Sequence, residues 1–108
     1  MEIENASQLF SALGQSSRLA VLKALVKAGP AGLRAGVLAE QHGVPAPTMS
    51  FHLKELNRAG LVQPRRDGRS VFYAADYGGL RDLIDFLLAD CCQGDRRLCG
   101  PYVIKESA

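Results

Sequence analysis

The chain has 108 residues, enough for one domain around one core, and its apolar and charged fractions, 47% and 22%, exclude a charge-rich disordered chain. A net charge of +2 is too small to name a nucleic-acid or membrane partner by itself, and no apolar run approaches the roughly 20 residues of a membrane span. The acidic start, Met1, Glu2, Ile3, Glu4, lacks the basic and apolar parts of a signal peptide, so a cytoplasmic setting is expected in which the three cysteines stay thiols.

Ile3, Ala6, Leu9, Phe10 and Leu13 recur at helical spacing with Glu2, Glu4, Ser7 and Gln8 between them, which predicts a first amphipathic helix ending near Gly14. Ser16 or Ser17 is expected to cap a second helix over residues 18–27, with Leu19, Leu22, Leu25 and Val26 on one side. Gly29 and Pro30 stop it. A third helix is predicted over 33–42, with Leu33, Val37 and Leu38 inward and a break from Gly43 to Pro47.

A fourth helix follows over 48–60. At about 100° per residue, Met49, Leu53 and Leu56 share one face, while Pro47, Phe51, Lys54 and Arg58 share the opposite one, flanked by Thr48 and Ser50. Phe51 stands in the middle of a polar, basic face. It can pack on a thymine methyl in a major groove, although a single exposed apolar residue needs no role. His52 falls on the shoulder of the buried face, where a packed histidine bonded to backbone is the plain reading.

Strand-like runs over 61–66 and 70–75 flank Asp67-Gly68, a hairpin signal because both residues tolerate positive φ. Arg65, Arg66 and Arg69 would sit at its tip. Together with Arg58 they form a basic cluster between positions 58 and 69. A solvated hairpin explains such a cluster on its own; beside this helix pair it favours nucleic acid.

Helix, short turn, helix, hairpin is the order of a winged helix-turn-helix, a mainly α fold with a small β-hairpin. The candidate DNA-contacting residues are Pro47, Thr48, Ser50, Phe51, His52, Lys54, Arg58, Arg65, Arg66 and Arg69. A last helix over 79–90 carries Leu80, Leu83, Ile84, Leu87 and Leu88 at i, i+3, i+4, i+7, i+8 spacing, widened by Phe86. A small domain does not easily cover this stripe and the first helix as well, so the first and fifth helices are expected to form a symmetric dimer interface. Residues 1–92 then make the DNA-binding and dimerisation domain, and 93–108 a tail without periodicity.

Several stretches resemble the ArsR/SmtB family of metal-responsive winged-helix repressors over about residues 5–90: Leu9-Phe-Ser-Ala-Leu-Gly-Gln-Ser-Ser-Arg-Leu19, Leu38-Ala-Glu, Ser50-Phe-His-Leu53, Ala59-Gly-Leu-Val62 and Arg65-Arg-Asp-Gly-Arg-Ser-Val-Phe-Tyr73. The resemblance implies a homodimer that represses its own operon and releases double-stranded operator DNA when an inducer binds. The chain departs from the family pattern in three places. It has no Cys-Val-Cys cluster near Ala35 to Leu38, where arsenic-sensing members carry one. It has no histidine on the last helix, where zinc-sensing members carry ligands. Pro45 stands where a serine usually caps the recognition helix.

The cysteines, Cys91, Cys92 and Cys99, follow the last helix. They can be read as small buried hydrophobes, but Gln93, Asp95, Arg96 and Arg97 around them are polar. A bridge between Cys91 and Cys92 is disfavoured, since adjacent Cα atoms lie about 3.8 Å apart, under the usual lower limit of about 4.4 Å for a disulfide. Three thiolates suit a soft, three-coordinate ion: As(III) first, Sb(III) next, with zinc preferring four ligands. A continuing helix would hold Cys92 and Cys99 about 10 Å apart, so a shared ion needs the chain to fold back, with Gly94 as pivot. Some members of the family sense arsenic through cysteines in this region, which the resemblance makes relevant here. Redox sensing by the same thiols is the alternative. No Cys-x-x-Cys and no phosphate-cradling loop beside a cysteine is present, so neither an enzyme nor a catalytic cofactor is expected.

Overall fold

A computed structural model describes residues 1–89. The order is α1 (Ile3–Leu13), α2 (Ser16–Ala28), β1 (Leu33–Arg34), α3 (Ala35–His42), α4 (Ala46–Arg58), β2 (Val62–Asp67), β3 (Ser70–Ala75) and α5 (Tyr77–Leu88). The described residues thus form five helices and one antiparallel sheet of order β1-β3-β2, the winged helix-turn-helix expected from the sequence, with one strand more than the hairpin. No helix among the described residues is long and apolar enough to cross a membrane.

The extra strand comes from the stretch assigned to the start of the third helix. Leu33 and Arg34 are extended and pair with Tyr73 and Phe72 of β3, so α3 begins two residues later than predicted. Two residues have no readable period of their own; pairing with a ready-made hairpin edge defines them. Gly32 permits this approach, because a Cβ there would collide with the Tyr73 carbonyl.

The core forms where α1, α2, α3, α4, the start of β2 and α5 converge. Val21, Leu25, Leu38, Met49, Leu53, Leu56, Leu61 and Val62 are fully buried, joined by Leu9, Leu22 and Leu83. Several apolar residues read as inward lie outside it instead. Leu19 and Val26 of α2 and Val37 of α3 are exposed, and Val21 takes the central place on α2 that the predicted face left out. On α1, Ala6, Leu9 and Ala12 face the core while Ile3 and Phe10 face solvent.

Helix ends follow backbone chemistry more than serine caps. Neither Ser16 nor Ser17 caps α2: Ser16 is its first residue, and the preceding Gln15 makes no side-chain bond. Gly43 ends α3 in the left-handed conformation (φ 64°), and the Val44 N–H donates to the Ala39 carbonyl at 3.1 Å. That residue without a Cβ lets α3 turn into α4 within three residues, Gly43 to Pro45. The predicted last helix starts earlier, at Tyr77, because Asp76 caps it. Its Oδ1 accepts from the Gly79 N–H at 3.0 Å. Gly79 in turn lies so close to the Gly60 carbonyl that a Cβ would overlap it, which seats α5 against the α4–β2 junction.

Candidate nucleic-acid interface

α4 divides its side chains cleanly. Met49, His52, Leu53 and Leu56 are buried, and Pro47, Thr48, Ser50, Phe51, Lys54 and Arg58 are exposed. Pro45 occupies the cap position and makes no side-chain bond, and Pro47 lies within the first turn, where its missing N–H costs nothing. The helix therefore offers the backbone N–H groups of its first turn uncovered by any capping side chain. Arg58, exposed in the last turn, reaches the partly buried Glu55 at 3.5 Å, one turn back along its own helix.

Phe51 is 52% exposed in the middle of the outward row. It is not isolated: the Arg18 guanidinium of α2 lies 5.3 Å from its ring centroid, within cation–π range. Arg18 is held in turn by His52, whose Nδ1 accepts from Arg18 Nε at 3.3 Å. His52 is only 4% exposed, so its side chain lies behind the outward row instead of within it. Its bonded partner is a side chain from α2, not the backbone group expected. Burial, and then the neighbouring Arg18 charge, lower the His52 pKa below its ordinary value.

The hairpin carries the rest. Asp67 pairs with Ser70, so the two loop residues are Gly68 and Arg69, one position further along than Asp67-Gly68. Arg66 and Arg69 are exposed at this end. Arg65 is committed elsewhere: one terminal nitrogen donates to the Ala31 carbonyl at 2.7 Å, and its guanidinium lies 4.9 Å from the Phe72 ring centroid. Arg34, directly across β3 in the same row, stacks on Phe72 as well, at 5.2 Å. Sequence reasoning missed Arg18 and Arg34. Both owe their place to contacts with residues far along the chain, and only the row Arg34, Phe72, Arg65 had a signal, one that needed β1 to be known first.

Cys91, Cys92 and Cys99 lie outside the described residues, as do residue 90 of the predicted last helix and the tail. Among the described residues no three His, Cys, Asp or Glu side chains gather where they could hold a metal.

Comparison with known proteins agrees with this geometry. A family model described as a helix-turn-helix domain matches residues 13–65. The HTH-type transcriptional regulator KmtR of Mycobacterium tuberculosis is 38% identical over 77 residues, 71% of this chain but only 57% of KmtR. Among solved structures, an ArsR-like transcriptional regulator from Rhodococcus superposes with a TM-score of 0.73 at 30% identity, over 97% of this chain and 96% of that one. The homodimeric winged helix-turn-helix DNA-binding domain of a Mycobacterium bovis protein superposes with a TM-score of 0.65 at 26% identity, over 82% and 81%. With its reading helix, hairpin and sheet arranged as in these regulators, the chain belongs to the ArsR family of winged helix-turn-helix transcriptional regulators.

Proposed function

We propose that this chain acts as a homodimeric repressor that binds operator DNA and releases it when As(III), or Sb(III), is captured by Cys91, Cys92 and Cys99. The observation that carries the DNA half is the outward row of α4, where Thr48, Ser50, Phe51 and Lys54 stand exposed over a fully buried Met49, Leu53 and Leu56. Hydroxyls and an amine there can meet base edges and phosphates, and Phe51 can meet a thymine methyl. Arg66 and Arg69 of the hairpin supply a sequence-independent grip on the backbone.

Two copies explain what one leaves uncovered. Ile84 and Leu87 of α5 and Ile3 and Phe10 of α1 remain exposed, and these are the helices expected to pair. The homodimeric Mycobacterium bovis neighbour is consistent with such an assembly. Paired reading helices would then enter successive major grooves, about 34 Å apart.

The cysteines follow α5 in sequence, so an ion held there acts next to the dimer-forming helix. Arsenous acid exchanges its three hydroxyls for the sulfurs of three cysteine thiols, each hydroxyl leaving with one thiol proton as water. The donor set suits the ion: three soft sulfurs, with the arsenic lone pair in the fourth direction. Release of DNA follows only if the ion-bound dimer prefers a spacing of reading helices that the grooves do not match. A coupling of about 1–3 kcal/mol is enough.

The test is a gel shift on the intergenic DNA upstream of the gene, titrated with arsenite, then with antimonite, zinc and peroxide. Arsenite and antimonite should release the wild-type dimer, and Cys99→Ser should bind DNA equally well but ignore them. Release of Cys99→Ser at the wild-type arsenite level would refute the three-thiolate site. Release by peroxide alone would move the function to thiol oxidation.

A further inference from the structure

We propose that Arg18 is a positioning residue for sequence reading: it pins the Phe51 ring in one orientation over the groove and so sets how strictly the protein demands a thymine methyl at one position of each half-site. The inference rests on the reading of α4 as the DNA-contacting helix and adds a residue of α2 to it.

An exposed phenylalanine on a helix has more than one open side-chain rotamer and would meet a base edge with poorly defined geometry. Here the guanidinium of Arg18 stands 5.3 Å from the ring centroid, and the electron-rich ring face attracts the cation. A surface arginine is itself mobile, so this contact orders the ring only if the arginine is anchored. His52 anchors it. The imidazole is buried, its Nδ1 takes the Arg18 Nε–H at 3.3 Å, and arginine has no acceptor to offer in exchange. His52 must therefore present Nδ1 without a proton. His52 is also the next residue after Phe51, their rings 6.4 Å apart and tilted by 52°. The result is a closed loop: Phe51 is joined through the backbone to His52, His52 to Arg18, and Arg18 back to the Phe51 ring. A free phenylalanine becomes part of a rigid constellation tied to α2.

The arrangement also separates two roles for a cation near DNA. An arginine that neutralises a phosphate adds to the salt dependence of binding; one held on an aromatic ring by a buried histidine acts on base discrimination.

The experiment uses the full-length dimer and duplexes carrying the footprinted operator, with each thymine in turn replaced by deoxyuridine, which removes only the methyl group. Binding is followed by fluorescence anisotropy at several salt concentrations. For the wild type, one substitution per half-site should weaken binding about fourfold, the worth of one buried methyl group. Phe51→Ala should erase that penalty. Arg18→Ala should reduce it strongly while leaving the salt slope and the affinity for unrelated DNA unchanged. Adding Arg18→Ala to Phe51→Ala should change discrimination no further. Arg18→Lys keeps the charge but lacks the planar fork, and should lose methyl discrimination as Arg18→Ala does; it serves as the decisive variant if Arg18→Ala fails to fold.

A salt slope reduced by about one in Arg18→Ala would show a phosphate contact and overturn the proposal, as would full methyl discrimination in Arg18→Lys. A wild type that binds its operator but is indifferent to every thymine methyl sinks this inference alone. A wild type that binds no operator sinks the DNA-binding reading along with it.

Discussion

α4 and α5 are nearly equal in length, 13 and 12 residues, and both are amphipathic, yet they end up in different situations. The apolar side of α4 is finished within one chain: Met49, Leu53 and Leu56 are fully buried. Among the described residues the apolar side of α5 is not covered: Leu83 is buried, Leu80 and Phe86 partly so, and Ile84 and Leu87 stay about half exposed. The cause is position. α4 lies between α1, α2 and α3 and runs on into the sheet, while α5 meets the body at its N-terminal end, where Gly79 meets Gly60 and the Asp76 N–H donates to the Leu61 carbonyl at 2.8 Å, and then along one side only, through Leu80, Leu83 and Phe86. A helix that completes its core in one chain is free to devote its other face to a ligand. A helix that leaves its core half open specifies a partner.

The sharpest way to break this comparison is to damage each helix on its apolar side. Leu53→Ala should cost about 2–5 kcal/mol of folding stability, read from the urea midpoint, because the cavity opens in a fully packed core. Ile84→Asp with Leu87→Asp should leave the fold of a single chain nearly intact. It should instead convert the dimer to monomer in light scattering and remove the rise of melting temperature with protein concentration. If the double variant stays dimeric, the apolar surplus of α5 does not form the interface. A smaller effect separates the ends of the two helices. α4 has no side-chain cap to lose, whereas Asp76→Ala removes the acceptor for the Gly79 N–H and, through Oδ2, for the Gln63 side chain at 2.7 Å. It should cost about 1 kcal/mol, measured by thermal denaturation.

The same contrast explains which parts were legible in the sequence. Met49, Leu53 and Leu56 on the buried face of α4 were readable from their 3.6-residue period, whereas His52, placed among the DNA-contacting candidates, is buried with them because its ring turns to Arg18. Asp76 also carried a signal, an aspartate three residues ahead of the N–H it caps, but the helix predicted from the leucine spacing begins at residue 79 and leaves it outside. β1 carried no signal, since two residues define no period and its existence depends on the edge that β3 offers. Arg18 was equally hidden. It is separated from His52 by 34 positions, and nothing in either local sequence announces that they meet. Periodicity reports which side of an element is buried, not what lies on the other side of the interface.

The smallest effect, a pH dependence, tests that meeting directly. The pKa of His52 is lowered by its burial and by the Arg18 charge, so the folded chain takes up this proton less readily than the unfolded chain, in which histidine titrates near about 6.5. Above that pH both states leave the ring neutral, and His52 contributes no pH dependence. As the pH falls below it, the unfolded chain binds the proton first and stability declines until the folded-state pKa is passed. Denaturant midpoints measured between pH 7 and pH 5 should therefore fall for the wild type, with a shallower slope in His52→Gln, whose amide oxygen can still accept from Arg18. Equal slopes in the two proteins would mean that the imidazole is as easily protonated in place as in water, and that the bond to Arg18 does not require it neutral. The Arg18–His52 pair joins α2 to α4, and α5, which sends Leu80, Leu83 and Phe86 toward the core, has no part in that bond; acid sensitivity of this kind belongs to the helix whose buried face is complete.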